Sequence, residues 1–195
     1  MSVTTAEDLL VDELKDIYSA EKQAVRAYPR LAKVVESEEL KEALTEHLEQ
    51  TKGQVERLDR VFEILEKRAG GKTCEGMKGL LQEAFTQAEE IERGPVLDAA
   101  LIGALQRVEH YEISGYGTAS TLAETMGQDE VHDLLAETLQ EEKDTDEKLT
   151  EVASSVNEEA IHGAEEAEDE LDDQDEAEAS APRKSASRSA RKKRS

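Results

Sequence analysis

The sequence predicts an all-α protein: a four-helix bundle whose second and third long helices are joined by a crossover carrying a short helix. Three observations lead there. Apolar residues recur at steps of three and four along four long segments, which marks one face of a helix. Helix breakers are sparse, with 11 Gly and 3 Pro in 195 residues, and Gly70-Gly71, Gly94-Pro95 and Gly127 punctuate those segments. Aromatic residues make up only 3% and Trp is absent, a composition that argues against an all-β sandwich or barrel.

The first helix is expected over about residues 5–35. Thr5 and Asp8 form a capping pattern at its start. Leu10, Leu14, Ile17, Ala20, Ala24, Tyr28 and Leu31 define its inward face. Pro29 removes one backbone N–H and should kink or divide it. Ser37 caps the second helix, with Glu38 and Glu39 well placed in its first turn. Its stripe is Leu40, Leu44, Leu48, Thr51, Val55, Leu58, Phe62 and Leu65, and Gly70-Gly71 should end it. A very short turn joins the two, so they should pair antiparallel.

Residues 72–94 hold a shorter helix with Met77, Leu80, Leu81, Ala84, Phe85 and Ala88, expected to end at Gly94. Pro95 suits the first position of the third long helix. Leu101, Leu105, Val108, Glu112, Tyr116, Ala119 and Leu122 mark that helix, closed by Gly127. The fourth carries Val131, Leu134, Leu135, Thr138, Leu139, Glu142, Thr145 and Leu149. Long hairpin, crossover, long hairpin is the wiring of a ferritin-like bundle.

The bundle is expected to occupy residues 1–156. Residues 157–195 lack a sustained apolar face and read as a disordered tail. The stretch 158–178 has 12 acids and no base, whereas 183–195 has 7 bases and no acid. Without both, 35 acids still face 17 bases. Such a body repels nucleic-acid phosphates. Nucleic acid or an acidic partner is expected, if at all, only at the basic end 183–195; a tail that merely solubilises is the alternative. The single Cys74 excludes an intrachain disulfide framework and CxxC chemistry. No apolar run approaches the roughly 18 residues of a membrane span, and no signal-peptide pattern opens the chain. A cytoplasmic protein is expected.

Several polar residues fall where the core should be. Glu21 lies in the inward series Ile17–Glu21–Ala24–Tyr28. His47 and Gln54 flank Leu48, Thr51 and Val55. Glu109 and Glu112 sit three apart in QRVEHYEISGYG. Glu142 and Asp146 sit four apart in ETLQEEKDTDEKL. All lie mid-helix, so antiparallel packing can bring them to one level. Converging carboxylates repel each other unless a cation neutralises them. Iron, manganese or another divalent ion would do so through oxygen ligands and an occasional imidazole. In a chain with 47 acidic residues, each single Glu also reads as a solvated helix edge. Glu46, Glu49, Gln50 and Glu141 neighbour the set by a small helical rotation. His110 points about 100° from Glu109, and His132 and His162 read as surface residues. The usual di-iron bundle carries Glu-x-x-His on two helices. None occurs in these four, which counts against a complete two-metal centre.

The stretches DELKDIYSAEKQ (12–23), HLEQTKGQVERLDRVFE (47–63), PVLDAALIGALQRVEHYEISGYGTASTLAE (95–124) and ETLQEEKDTDEKLT (137–150) resemble the YciE/YciF family of ferritin-like bacterial stress proteins. The resemblance falls on all four long helices and stops near residue 157. It implies a homodimer, a rubrerythrin-like metal site and a role in stress response. The matched polar positions are Glu21, His47, Glu49, Gln54, Glu109, His110, Glu112, Glu142 and Asp146. Asp16 and Tyr18 belong to the first motif and also read as helix–helix hydrogen-bonding residues. Glu21, Glu109, Glu112 and Glu142 are expected as main ligands; His47, Glu49, Gln54 and Asp146 as outer ligands or as groups that orient them. With redox-active iron, peroxide or oxygen chemistry is expected, Tyr116 or Tyr111 serving as electron donor. The alternatives are a non-enzymatic dimeric protective protein and an adaptor acting through its charged tail.

Overall fold

The computed structural model describes residues 3–180, with side chains through residue 163. The chain divides into two units between Ala160 and Ile161. Among the described residues there are five helices and no strand: α1 (Ala6–Leu31), α2 (Glu38–Ile64), α3 (Glu75–Glu90), α4 (Pro95–Thr125) and α5 (Asp129–Ser180).

The helix starts follow the expected capping chemistry. The Asp8 N–H donates to Thr5 Oγ1 at 3.0 Å and the Thr5 N–H returns to Asp8 Oδ2 at 3.1 Å, a closed capping box. Ser37 Oγ accepts from the Leu40 N–H, Cys74 Sγ from the Met77 N–H, and Pro95 opens α4 after Gly94.

The helix ends differ from expectation. α1 stops at Leu31, two residues beyond Pro29. The next turn is captured by Asp98 of α4, whose buried carboxylate accepts from the Glu36 N–H at 3.2 Å and the Ser37 N–H at 2.7 Å. α2 stops at Ile64 rather than at Gly70-Gly71, because Glu66 takes the left-handed conformation (φ 54°) that usually needs Gly. The Lys67 N–H then closes onto the Phe62 carbonyl at 2.9 Å, a Schellman-type end. α3 ends at Glu90, short of Gly94. Val156 is the last buried residue among those whose side chains are described, and the first unit runs on to Ala160. The backbone of α5 continues as helix to Ser180, whereas a disordered segment was expected from 157; Ala and Glu, both strong helix formers, dominate that stretch. The basic end 183–195 lies outside the described residues.

Cross-helix contacts establish the wiring. Tyr28–Glu109 and Tyr116–Glu21 pair α1 with α4 in opposite directions. Arg57–Glu141 and Lys148–Glu46 do the same for α2 and α5, and Gln106–Thr150 and Ser120–His132 for α4 and α5. The order is therefore up, down, down, up, and the α2-to-α4 connection through α3 is the one long crossover.

Two apolar clusters fill the bundle. One is built on Leu10, Leu14, Leu58, Phe62, Tyr116 and Leu135. The other is built on Ala24, Leu31, Leu40, Met77, Leu101 and Leu149. Burying each Leu contributes roughly 1.5–3 kcal/mol relative to exposure, which lets the bundle tolerate a polar layer between them.

Candidate metal centre

That layer draws on all four long helices. α1 supplies Glu21; α2 supplies His47, Thr51 and Gln54; α4 supplies Glu109 and Glu112; α5 supplies Thr138, Glu142 and Thr145. All are buried. One ligand-capable atom from each of His47, Glu109, Glu112 and Glu142 lies within 4.8 Å of the others. Glu109 and Glu112 share a face of α4 through their i, i+3 spacing. His47 Nε2 comes within 3.2 Å of Glu109 Oε2 and 3.7 Å of Glu142 Oε2.

Neither approach is aligned as a hydrogen bond. Seven buried atoms of the layer lack a hydrogen-bond partner: Glu21 Oε2, His47 Nε2, Gln54 Oε1, Glu109 Oε2, Glu112 Oε1 and both oxygens of Glu142. Buried polar atoms are almost always paired, and this concentration of unpaired ones marks a group that could hold a metal ion. The set offers carboxylate oxygens and one imidazole, donors suited to a divalent cation such as iron or manganese.

His47 is oriented by hydrogen bonds. Its Nδ1 faces Thr145 Oγ1 at 3.1 Å and Gln50 Oε1 at 3.3 Å. The Thr145 hydroxyl already donates to the Glu141 carbonyl at 3.0 Å, so its oxygen accepts from Nδ1–H. A proton is thereby assigned to Nδ1, so that whenever the ring is neutral its lone pair lies on Nε2, on the carboxylate side.

The electrostatics report crowding. Burial pushes Glu21 up to about 8, against the opposing pull of the Tyr116 hydrogen bond and of His47. Glu112 and Glu142 are raised well above the carboxylate range, first by burial and then by neighbouring glutamates. Burial alone would lower His47, but the Glu109 carboxylate holds it above its ordinary value. Buried Tyr28 and Tyr116 are raised well above theirs, by burial first and then by the glutamates around them.

Six of the eight expected residues enter the layer. Glu21 stands outside the mutual 4.8 Å set and binds the Tyr116 hydroxyl through Oε1 at 2.5 Å. Gln54 is buried, its Nε2 donating to Glu141 Oε2 at 3.1 Å. Two expected residues are not brought in. Glu49 lies two residues past His47, about 200° around the helix; its side chain is 68% exposed and pairs with Lys52. Asp146 turns toward the outer edge of α4, where it accepts from Gln106 Nε2 and meets His110 Nε2 at 3.1 Å. His110, 69% exposed, stays at the surface. Glu141 is kept out by Arg57, which grips it through two bonds of 2.9 Å.

Tyr28 and Thr145 were not singled out for the site. Tyr28 donates to Glu109 Oε1 at 3.4 Å, and its position seven residues after Glu21 on one face was the available signal. Tyr116 adjoins the layer. Tyr111 instead donates to Asp16 Oδ2 at 2.7 Å and meets Cys74 Sγ at 2.9 Å, so Asp16 serves as the helix–helix link.

Fold and site together define a ferritin-like helical bundle with a buried carboxylate–histidine centre. The sequence profile of the family described as Domain of unknown function (DUF892) matches residues 5–161, and the chain belongs to that family. It is 48% identical over 166 residues to Protein YciF of Escherichia coli (strain K12), covering 84% of this chain and all of that protein. The crystal structure of the E. coli stress protein YciF superposes with a TM-score of 0.77 at 47% identity, over 80% of this chain and 98% of that one. YcfI from Rhodopseudomonas palustris follows, with a TM-score of 0.75 at 43% identity, over 76% and 95%. Among the described residues no helix is long and apolar enough to cross a membrane.

Proposed function

We propose that this chain is a ferritin-like stress-response protein that holds one divalent ion, iron first and manganese second, between its apolar clusters. His47, Glu109, Glu112 and Glu142 are the ligands. Glu21 and Gln54 complete or orient the set, and Tyr28, Tyr116 and Thr145 fix it by hydrogen bonds. The observation that carries this reading is the unpartnered, buried state of four carboxylates, one imidazole nitrogen and one amide oxygen at a single level. The stress role rests on the likeness to the E. coli protein described as a stress protein.

Bound iron would supply redox chemistry toward peroxide or dioxygen. The chain's own contribution is to exclude bulk water, to present the Nε2 lone pair, and to hold protons on the tyrosine hydroxyls beside Glu109 and Glu21. A homodimer in the cytoplasm belongs to the same proposal and rests on the family likeness.

Elemental analysis of protein purified without chelator tests it. Near-stoichiometric iron or manganese is expected, lost in Glu109→Ala and Glu142→Ala. Protein that stays metal-free after anaerobic ferrous loading would overturn the reading and favour the non-enzymatic alternative.

A further inference from the structure

A pocket of about 120 Å³ opens between α2, α4 and α5. Its walls are Ala43, Leu44, Leu105 and Leu149, and its polar lining includes Glu46, Gln50, Asp144 and Lys148. His47 and Glu109 line it as well. Both are buried, and each carries an atom without a hydrogen-bond partner. The pocket therefore reaches the centre from solvent.

We propose that this pocket is the port through which a divalent cation reaches the centre, and that Lys148 is its electrostatic latch. The inference rests on the metal-binding reading above and adds a route and a control to it.

The charge arrangement supports a cation. Glu46 and Asp144 bring two carboxylates to the opening, and Lys148 brings one ammonium. Lys148 forms an ion pair with Glu46, and the two side chains remain 43% and 57% exposed. Asp144 accepts from Gln140, a neutral partner, at 2.7 Å. An arriving cation meets a net negative rim on a strongly acidic protein, the condition for steered capture. It also meets the Lys148 ammonium, which repels it until the side chain swings away from Glu46. That swing is cheap, because an exposed ion pair contributes only about 0–1 kcal/mol.

Size adds a filter. The pocket is narrow, about 120 Å³. A hydrated ion must shed part of its shell between the leucine walls before meeting His47 and Glu109. Magnesium dehydrates reluctantly, so slow magnesium loading is expected.

Uptake kinetics test the port. Metal-free full-length protein is mixed with manganese(II), and the loss of the free-ion spin-resonance signal is followed at low and at physiological salt. Lys148→Ala should load about threefold faster or more, and Asp144→Lys about tenfold slower at low salt, the latter difference shrinking as salt screens the rim. Both should reach the wild-type stoichiometry. Ala43→Leu should slow loading by narrowing the wall. Because Ala43 is packed, the two surface variants decide the matter if that protein folds poorly. Full loading at unchanged rates in both surface variants overturns the port while leaving the metal site standing. Unchanged uptake together with a slowed reaction of the loaded protein with hydrogen peroxide assigns the pocket to the oxidant and overturns the cation assignment. Wild-type protein that never takes up manganese or iron defeats the metal site itself, and the port with it.

Discussion

Glu142 is fully buried and neither of its oxygens has a hydrogen-bond partner. Leaving a buried polar group unsatisfied costs about 1–3 kcal/mol, so in the metal-free protein this residue opposes folding. Its raised proton affinity fixes how that cost varies with pH. A carboxylate whose affinity for protons is higher when folded holds its proton while the unfolded chain releases one, so stability is full at low pH and is lost as pH rises. For Glu21 the window runs from the ordinary 4.5 to about 8, with a slope of about 1.4 kcal/mol per pH unit for each such group. Metal-free protein should therefore lose Tm steadily between pH 5 and pH 8, and saturating manganese should flatten the curve. Glu142→Gln cannot ionise; its metal-free form should match wild type near pH 5 and exceed it by several degrees at pH 8, while gaining nothing from metal. Calorimetric melts across that range check both. Glu21, Glu109, Glu112 and Glu142 were legible in the sequence because their spacing follows the apolar stripes. Glu49 and Asp146 lie outside the layer, and residue types and family motifs do not state the helix rotation that puts them there: two positions turn Glu49 to solvent, and Asp146 turns to Gln106 and His110.

At the scale of elements, period and composition sufficed to place every helix, and the helix starts followed from Thr5, Ser37 and Pro95. The ends of α1 and α2 were harder. Gly70-Gly71 looked like the stop for α2, yet Glu66 adopts the left-handed turn five residues after Val61. Nothing local in the sequence singles out a glutamate for that role. Glu66→Gly should relieve this strain and raise stability by about 0.5–1 kcal/mol, measured by denaturant midpoint; a loss would show that the Glu66 side chain has a stabilising role of its own. The α1–α2 turn depends on a residue 61 positions away in sequence, because Asp98 accepts backbone N–H groups from Glu36 and Ser37. No reading of the turn alone could find that. Asp98→Ala should cost about 2–3 kcal/mol, since charge-assisted bonds are the stronger ones. Asp98→Asn, able to accept through its carbonyl oxygen, should recover part of the loss.

At the scale of the whole molecule, labour is divided along the bundle. Two apolar clusters supply cohesion, and the layer between them gathers carboxyls and an imidazole that could hold a metal ion. We propose that residues 1–156 carry both stability and metal binding. Deleting residues 157–195 should leave Tm within about 2 °C and metal content per chain unchanged; loss of either would tie the tail to the bundle. Wiring was legible at this scale because a long crossover between two hairpins admits few arrangements. The depth at which the four helices align this polar layer was legible only roughly, since it depends on how far each helix slides against its neighbour. The most direct test of the central claim is anomalous X-ray scattering from crystals grown with manganese(II), collected on either side of the manganese edge. The account predicts a peak inside the bundle, bonded to His47 Nε2 and to oxygens of Glu109, Glu112 and Glu142. Peaks confined to surface carboxylates, with the interior layer lacking one, would contradict it.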